Sequence, residues 1–414
     1  MRERRVLVKA FAGEYRKGGK KEKGAILERF VKASGYVRRY AARLLRNQGR
    51  RVVLRPGVRV EGDVTIRVRR RRGRTYGEDV KRELKRIWEM LDYLCGKRLV
   101  AALPATLEAL ERHGELKISP EVRQKLLSVS AATIDRMLAP EKKKLRLKAR
   151  SGTKPGTLLR QQVAVRTFAD WDEARPGFVE VDLVAHEGGH AQGDYAQTLD
   201  LTDVSTGWTE VAAVPNKAQV WVFEALERVR QQLPFPLLGL DSDNGSEFIN
   251  NHLWRYCRQE QITFTRSRPF RKNDNCFVEQ KNYSVVRRYV GYARYDREAE
   301  VQLLNELYER VRLYVNFFLP SQKLKEKVRR GSRVHKCYHP AQTPYQRVLA
   351  SKEVSARDKR KLRAQYQRLN PAQVHRQIRD LQEKLLWLTA RKRSARAVDA
   401  TGTDGKAPSR RGRG

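Results

Sequence analysis

The sequence predicts an α/β protein: a mixed five-stranded sheet covered by helices in the middle of the chain, preceded by an all-helical region. Three observations predict it. Between about residues 176 and 320 the apolar pattern runs three short strands, a helix, a strand, a helix, a strand and a long helix. Before residue 141 apolar residues recur mostly at helical spacing. Between these regions, residues 141–157 are basic and carry Gly and Pro, the composition of a linker.

At 414 residues the chain has room for two or three domains and a sizeable core. Lys and Arg number 88 against 47 Asp and Glu, a formal charge of +41. A folded protein with that self-repulsion calls for a polyanionic partner, nucleic acid first and an anionic membrane surface second. No apolar run approaches the ~20 residues needed to span a bilayer. The basic start, Met1-Arg2-Glu3-Arg4-Arg5, lacks the apolar stretch of a secretory signal. Cys95, Cys257, Cys276 and Cys337 are scattered without CxxC spacing, which argues against a disulfide framework and fits a reducing interior.

The elements follow in order. Residues 22–32 place Ile26, Leu27, Phe30 and Val31 at helical spacing, Ser34-Gly35 is a turn signal, and residues 36–46 form a second helix. That helix puts Val37, Tyr40, Ala41 and Leu44 on one face and Arg38, Arg39, Arg43 and Arg46 elsewhere. A short helix, a Gly-containing turn and a basic second helix make a helix-turn-helix pattern, with Arg38, Arg39 and Arg43 as candidate DNA contacts. Residues 67–74 are an arginine-rich loop or arm suited to tracking phosphates. Residues 77–110 read as helical with a break near Pro104. Ser119-Pro120-Glu121 is a cap with Pro at the first helical position. The helix that it starts runs to about Val129, and another covers 131–138 and stops at Pro140. These two form a second helix-turn-helix-like unit.

After the linker, residues 179–185, 195–202 and 209–214 read as strands. Residues 217–232 are an amphipathic helix with Val220, Phe223, Leu226 and Val229 or Val222 inward. A strand at 237–240, a helix at 248–259, a strand at 262–265 and a long helix at 275–292 complete the unit. A further helix at 299–319 carries Leu303, Leu307, Val311, Tyr314 and Phe318 on a stripe. A basic region at 323–333 and helices at 356–368 and 371–391 come next, and the tail from Lys392 lacks apolar periodicity and reads as disordered. The divisions drawn are 1–75, 76–157, 158–320, 321–391 and 392–414.

The chemistry lies in the acids. Strand alternation puts Phe178, Glu180, Asp182 and Val184 on one face and Val179, Val181 and Leu183 on the other, which buries against helices. Asp182 thus projects from a central strand, where an acid is costly unless paired or metal-bound. Asp243 follows the fourth strand at a sharp Asn244-Gly245 turn, and Asp241 is a rival for the same role. Glu279 sits early on the long helix, with Asn275, Asn282 and Tyr283 on its face. Thirty-five residues separate Asp243 from Glu279. Hard carboxylate oxygens suit Mg²⁺, and two ions roughly 3.5–4 Å apart activate an attacking oxygen and stabilise a leaving one.

On these residues, and over about 176–320, the chain resembles the integrase catalytic core of retroviral integrases and, most closely, the DDE transposases of bacterial insertion sequences. The resemblance implies a ribonuclease H-like catalytic core; strand order alone is compatible with other α/β folds. It implies Asp182, Asp243 and Glu279 as ligands of two Mg²⁺ ions, with Mn²⁺ as a substitute, and Asn244 and Asn282 beside the metal site. It prefers Asp243 over Asp241 by its acid-Asn-Gly order. It implies hydrolysis at an element end to free a 3′-hydroxyl, then attack of that hydroxyl on target DNA. Arg266, Arg268, Arg271 and Lys272, which precede the catalytic helix, are candidate contacts to the DNA backbone; Lys281, which points to a different helix face from Glu279, and Arg287 are weaker ones. The partners implied are double-stranded DNA and at least one further copy of the chain, in the cytoplasm and nucleoid of a bacterium, with no membrane.

The chain departs from retroviral integrases in lacking their His/His/Cys/Cys zinc module. His335-Lys336-Cys337-Tyr338-His339 fits no standard structural zinc spacing. His186 and His190, after the first strand, flank a glycine-rich loop and are within sequence reach of the metal site. Two other classes share the pattern: a DNA-binding regulator with a silent core, and a metal-dependent nuclease that cuts without joining.

Overall fold

The computed structural model describes residues 2–56, 58–65, 75–145, 175–190, 192–242, 248, 251–266 and 276–401. The chain separates into two compact units, Met1–Thr75 and Tyr76–Gly414.

The first unit holds α1 (Arg2–Lys17), α2 (Lys20–Ser34), α3 (Arg38–Asn47) and a hairpin of β1 (Arg51–Arg55) and β2 (Val58–Glu61). The three helices share a core that includes Val8, Ala12, Ile26, Leu27, Phe30, Ala41, Leu44 and Leu45. Gly35 ends α2 at φ +67°, a left-handed conformation cheap only for Gly, and its N–H bonds to the Val31 carbonyl. The expected pair of helices and its turn are thus observed. Helix α1 was not expected, because arginines dilute its apolar spacing. On α3 the buried stripe is Ala41, Leu44 and Leu45, whereas Val37 and Tyr40 are exposed. Val37 precedes the first helical turn as the N-cap, so it lies off the stripe that the spacing assigned it to.

The second unit begins with α4 (Glu78–Met90), α5 (Gly96–Arg112), α6 (Pro120–Ser128) and α7 (Ala131–Leu145). The chain breaks not at Pro104 but between α4 and α5, where Asp92 and Tyr93 take positive φ. Pro104 is carried within α5 because Ala102, Leu103 and Leu107 around it are buried, and packing offsets its lost hydrogen bond. Helix α7 likewise passes through Pro140. Ser119 caps α6 as expected, accepting the Val122 N–H at 3.3 Å.

The sheet contains β3 (Phe178–Ala185), β4 (Gln197–Asp203), β5 (Thr209–Val214), β6 (Gly239–Ser242) and β7 (Thr263–Arg266), in the order β5-β4-β3-β6-β7. The pairs β3–β4 and β4–β5 are antiparallel; β3–β6 and β6–β7 are parallel. The parallel pairs require crossovers, supplied by α8 (Gln219–Gln232) and α9 (Asn251–Gln259). One sheet face packs Val179, Val181, Leu199 and Leu240 against Val222, Ala225, Leu226 and Val229 of α8 and Leu253 of α9. Val220, expected inward, is exposed.

The other face supports a helical run of α10 (Cys276–Lys281), a π-helical turn (Asn282–Arg287) and α11 (Arg288–Val290), followed by α12 (Glu298–Phe317). Leu304, Leu307, Tyr308, Val311 and Tyr314 of α12 belong to a core shared with α4–α7. Beyond it come a hairpin of β8 (Leu324–Arg330) and β9 (Arg333–Tyr338), then α13 (Pro344–Ala350), α14 (Ala356–Arg368) and α15 (Pro371–Thr401). Helix α15 extends past the expected end at Arg391, and Lys392, expected to open a disordered tail, is 3% exposed. Among the described residues no helix is long and apolar enough to cross a membrane.

Candidate active site

The central strand β3 carries two acids on one face. Glu180 is fully buried and Asp182 is half-buried, two residues nearer the strand's end. The register sets a further acid beside each: Asp241 of β6 opposite Glu180, and Asp200 of β4 opposite Asp182. Asp241 is buried and accepts the Thr265 hydroxyl of β7 at 2.6 Å. Asp243 and Asn244 lie outside the described residues, as do Arg268, Arg271 and Lys272; Arg266 ends β7.

Glu279 lies in the first turn of α10 and is exposed. Two contacts tie its helix to β3. Glu180 Oε2 accepts the backbone N–H groups of Phe277 at 2.8 Å and Val278 at 2.9 Å. These are donors that a helix start leaves without internal partners, and a carboxylate there is favoured by the helix dipole. One turn on, Asn282 Nδ2 donates to Asp182 Oδ2 at 2.6 Å. Asn282 opens the π-helical turn, in which the Arg288 N–H reaches back to the Tyr283 carbonyl. Such turns recur at functional sites. The structure thus brings Asp182, Asn282 and the helix bearing Glu279 together.

The electrostatics of the cluster are strained. Burial, with repulsion from Asp241 and Glu279, raises the Glu180 carboxyl to about 8 despite its two amide donors. Burial raises Asp200 as well, and Asp182 adds to it while Lys281 opposes it. Asp200 Oδ2, Glu180 Oε1 and Asn282 Oδ1 are buried without hydrogen-bond partners.

Lys281 departs from its expected DNA contact. Its ammonium is directed inward, donates to the Gly207 carbonyl at 3.2 Å and faces Asp200 electrostatically. Arg287 is also internal, donating to the Ala185 carbonyl at 2.6 Å. His186 is buried away from solvent in a chain with Thr198 Oγ1 at 2.7 Å and, beyond it, Tyr308 Oη at 2.7 Å. Burial and Arg287 lower it to about 3, so the ring is neutral. Arg38, Arg39 and Arg43 are exposed on α3; Arg38 pairs with Glu28 at 3.3 Å and Arg43 lies over the Tyr40 ring.

Glu180 and Asp200 are the residues that sequence reasoning missed. Glu180 was visible on the face of Asp182, but its partners are nearly a hundred residues away. Nothing in the sequence pairs Asp200 with Asp182.

No protein-family model matches the sequence. The chain is 44% identical over 351 residues to the uncharacterized protein y4rM of Sinorhizobium fredii, spanning 84% of this chain and 95% of that protein. The chain belongs to the y4rM family. Solved structures similar to this member of the y4rM family include the catalytic core domain of BIV integrase. That match has 18% identity over 42% of this chain and 95% of that one, with a TM-score of 0.28. Another is the HTLV-2 integrase catalytic core domain in complex with magnesium, 14% identical over 35% of this chain and 90% of that one, TM-score 0.27. Among the described residues of this family member, no three metal-ligating side chains converge; Asp243 lies outside them.

Proposed function

We propose that this chain is a transposase of the DDE class, which cuts DNA at the ends of a mobile element and joins the freed ends to target DNA. The observation that carries the reading is the tie between β3 and α10. The Asn282–Asp182 bond and the Glu180 cap hold a half-buried Asp and an exposed helical Glu in one constellation.

Asp182 and Glu279, with Asp243, would hold Mg²⁺ or Mn²⁺. The donors fit such ions, being hard carboxylate oxygens; burial chiefly, and then neighbouring acids, raise Glu180 and Asp200, and added positive charge would offset the repulsion. When bound, a pair of such ions supplies activation of the attacking oxygen and stabilisation of the leaving one. The chain's own residues orient this site. Asn282 fixes the Asp182 carboxylate, and Glu180 fixes the first turn of α10. Asn244, beside Asp243, would line the same site.

In the first step water attacks a phosphorus at the element end; the P–O3′ bond breaks and a 3′-hydroxyl is freed. In the second, that 3′-oxygen attacks a phosphorus of target DNA, one P–O bond forming as another breaks. No high-energy cofactor is needed for this balance. The helices α2 and α3, with Arg38, Arg39 and Arg43, would recognise the element ends, and Arg266, Arg268, Arg271 and Lys272 would grip the backbone near the site. Joining two ends calls for at least a dimer.

The test is a strand-transfer assay with Mg²⁺ or Mn²⁺, duplexes from the DNA flanking the gene, and a target plasmid. Wild type is expected to nick ends and join them. Asp182→Asn, Asp243→Asn and Glu279→Gln are expected to fall by about 10²–10³-fold, the scale of losing a preorganised charge-stabilising group, with DNA binding retained. Cutting without joining would establish a nuclease, and binding without chemistry a regulator. Activity kept in Asp243→Asn but lost in Asp241→Asn would move the role to Asp241.

A further inference from the structure

The hairpin of β8 and β9 has no structural task of its own. Every residue of its two strands is exposed except Val328 and Cys337, which are half-buried, so neither face rests on a core. An isolated two-stranded hairpin is marginal in water at best. This one is further burdened by like charges set directly opposite: Lys327 against Lys336 and Arg330 against Arg333. Such pairs are destabilising. Over 324–338 there are six Lys or Arg and one Glu. Register puts Lys327, Arg329, Val334 and Lys336 on one face, with no acid among them.

The hairpin is nonetheless well shaped and well anchored. Gly331, at φ +58°, opens the two-residue Gly331-Ser332 turn, a conformation suited to tight hairpins. At its root Lys323 donates to the carbonyls of Val204 at 2.8 Å and Ser205 at 2.6 Å. Arg347 binds the Ser321 carbonyl at 2.6 Å and the Thr206 carbonyl at 3.0 Å. Lys323 also lies 5.9 Å from the centre of the Phe277 ring, and Phe277 is the residue whose N–H Glu180 caps. The ribbon therefore springs from beside the helix that carries Glu279.

We propose that the β8–β9 ribbon is a DNA-binding arm that enters the major groove of duplex DNA next to the candidate active site, with the Lys327–Arg329–Lys336 face against the DNA. The proposal rests on the reading of the chain as a DNA-processing enzyme. A two-stranded ribbon fits the major groove, about 12 Å wide, and not the minor groove, about 6 Å. A strand of seven residues at roughly 3.4 Å each is long enough to cross it. Phosphates on both sides of the groove would neutralise the opposed cations that the fold leaves uncompensated.

The experiment compares the full-length protein with its Lys327→Ala/Arg329→Ala/Lys336→Ala variant on duplex DNA and on duplex RNA. Melting temperature should be unchanged, because no altered side chain is buried. Each lost phosphate contact lowers the slope of log affinity against log salt by about 0.9, so the variant's slope on DNA should be shallower by up to about 2.7. Guanine N7, which faces the major groove, should be protected from dimethyl sulfate by wild type and exposed in the variant. Duplex RNA, whose major groove does not admit side chains, should show no such difference. An unchanged slope and unchanged N7 protection, with wild type binding and cutting DNA, would overturn the arm and leave the proposed function standing. An equal loss on RNA, without N7 protection on DNA, would overturn groove entry. Wild type that neither binds nor cuts DNA would overturn both.

Discussion

Glu180 is the residue on which the candidate site turns. It holds no place in the expected acid triad, yet its carboxyl accepts both amides that start α10. Glu180→Leu would leave the Val278 N–H buried without a partner, at about 1–3 kcal/mol, and the half-buried Phe277 N–H unpaired at less. Glu180→Gln keeps an acceptor and should cost less, and urea unfolding of the two variants checks the order. His186 offers a pH test. Its folded pKa, about 3, lies below the ordinary 6.5. Between those values the unfolded chain takes up a proton that the folded chain refuses. The stability due to His186 is thus full above about 6.5 and lost as pH falls toward about 3. The groups facing it are Thr198, Tyr308, Tyr295 and Arg287. His186→Gln should show a shallower fall of melting temperature with acidification over that window; an identical slope would count against a neutral buried ring.

At the scale of elements, the helix that carries Glu279 is tied to β3 by the Glu180 cap and, one turn on, by the Asn282–Asp182 bond, and Lys281 adds a bond to the Gly207 carbonyl beyond β4. Burial lowers Lys281 and raises Asp200, and each favours the charged form of the other. The two charges interact without a direct ion pair, so removing one should cost less than the about 3–5 kcal/mol of a bonded buried pair, whereas removing both is often nearly neutral. Lys281→Met should therefore destabilise more than Lys281→Met/Asp200→Asn, and a double-mutant cycle by urea unfolding measures the difference. Additive costs would mean that the two groups do not interact. The elements themselves were largely legible: five strands, their order along the chain and most of the helices follow from local periodicity. Two proline breaks were misplaced: Pro104 sits among buried residues of α5, and past Pro140 helix α7 is tied by the Lys85–Glu141 and Lys142–Asp135 ion pairs, which the apolar pattern does not report.

At the scale of the molecule, the last helix is part of the body. Lys392, on α15, reaches Glu300 at 2.7 Å and Asp296 at 2.9 Å near the start of α12, and Glu300 also accepts the Asp296 and Arg297 N–H groups. Lys392→Met would leave the buried Glu300 without its cation, while the half-buried Asp296 keeps Arg294 at 2.7 Å. It should lower stability by about 3–5 kcal/mol, measurable by chemical unfolding; a change within about 0.5 kcal/mol would class Lys392 with ordinary surface positions. The charge of +41 is a property of this same scale. It is spread over α3, the β8–β9 ribbon and the helices after it, which suits a long polyanion better than a compact ligand.

What the sequence determined by itself was the order of strands and helices, the placement of Asp182 on the face of its strand opposite Val179 and Val181, and Glu279 early on a helix with Asn282 one turn on. Each depends on a period of two or 3.6 residues and on near neighbours in the chain. What only the tertiary structure decided was which acids stand side by side, that Lys281 and Arg287 turn inward, and that one basic hairpin is left without a core. The physical reason is register. Asp182 meets Asp200, and Glu180 meets Asp241, through strand pairings that bring distant residues together. A slip of one residue would turn every side chain to the opposite face.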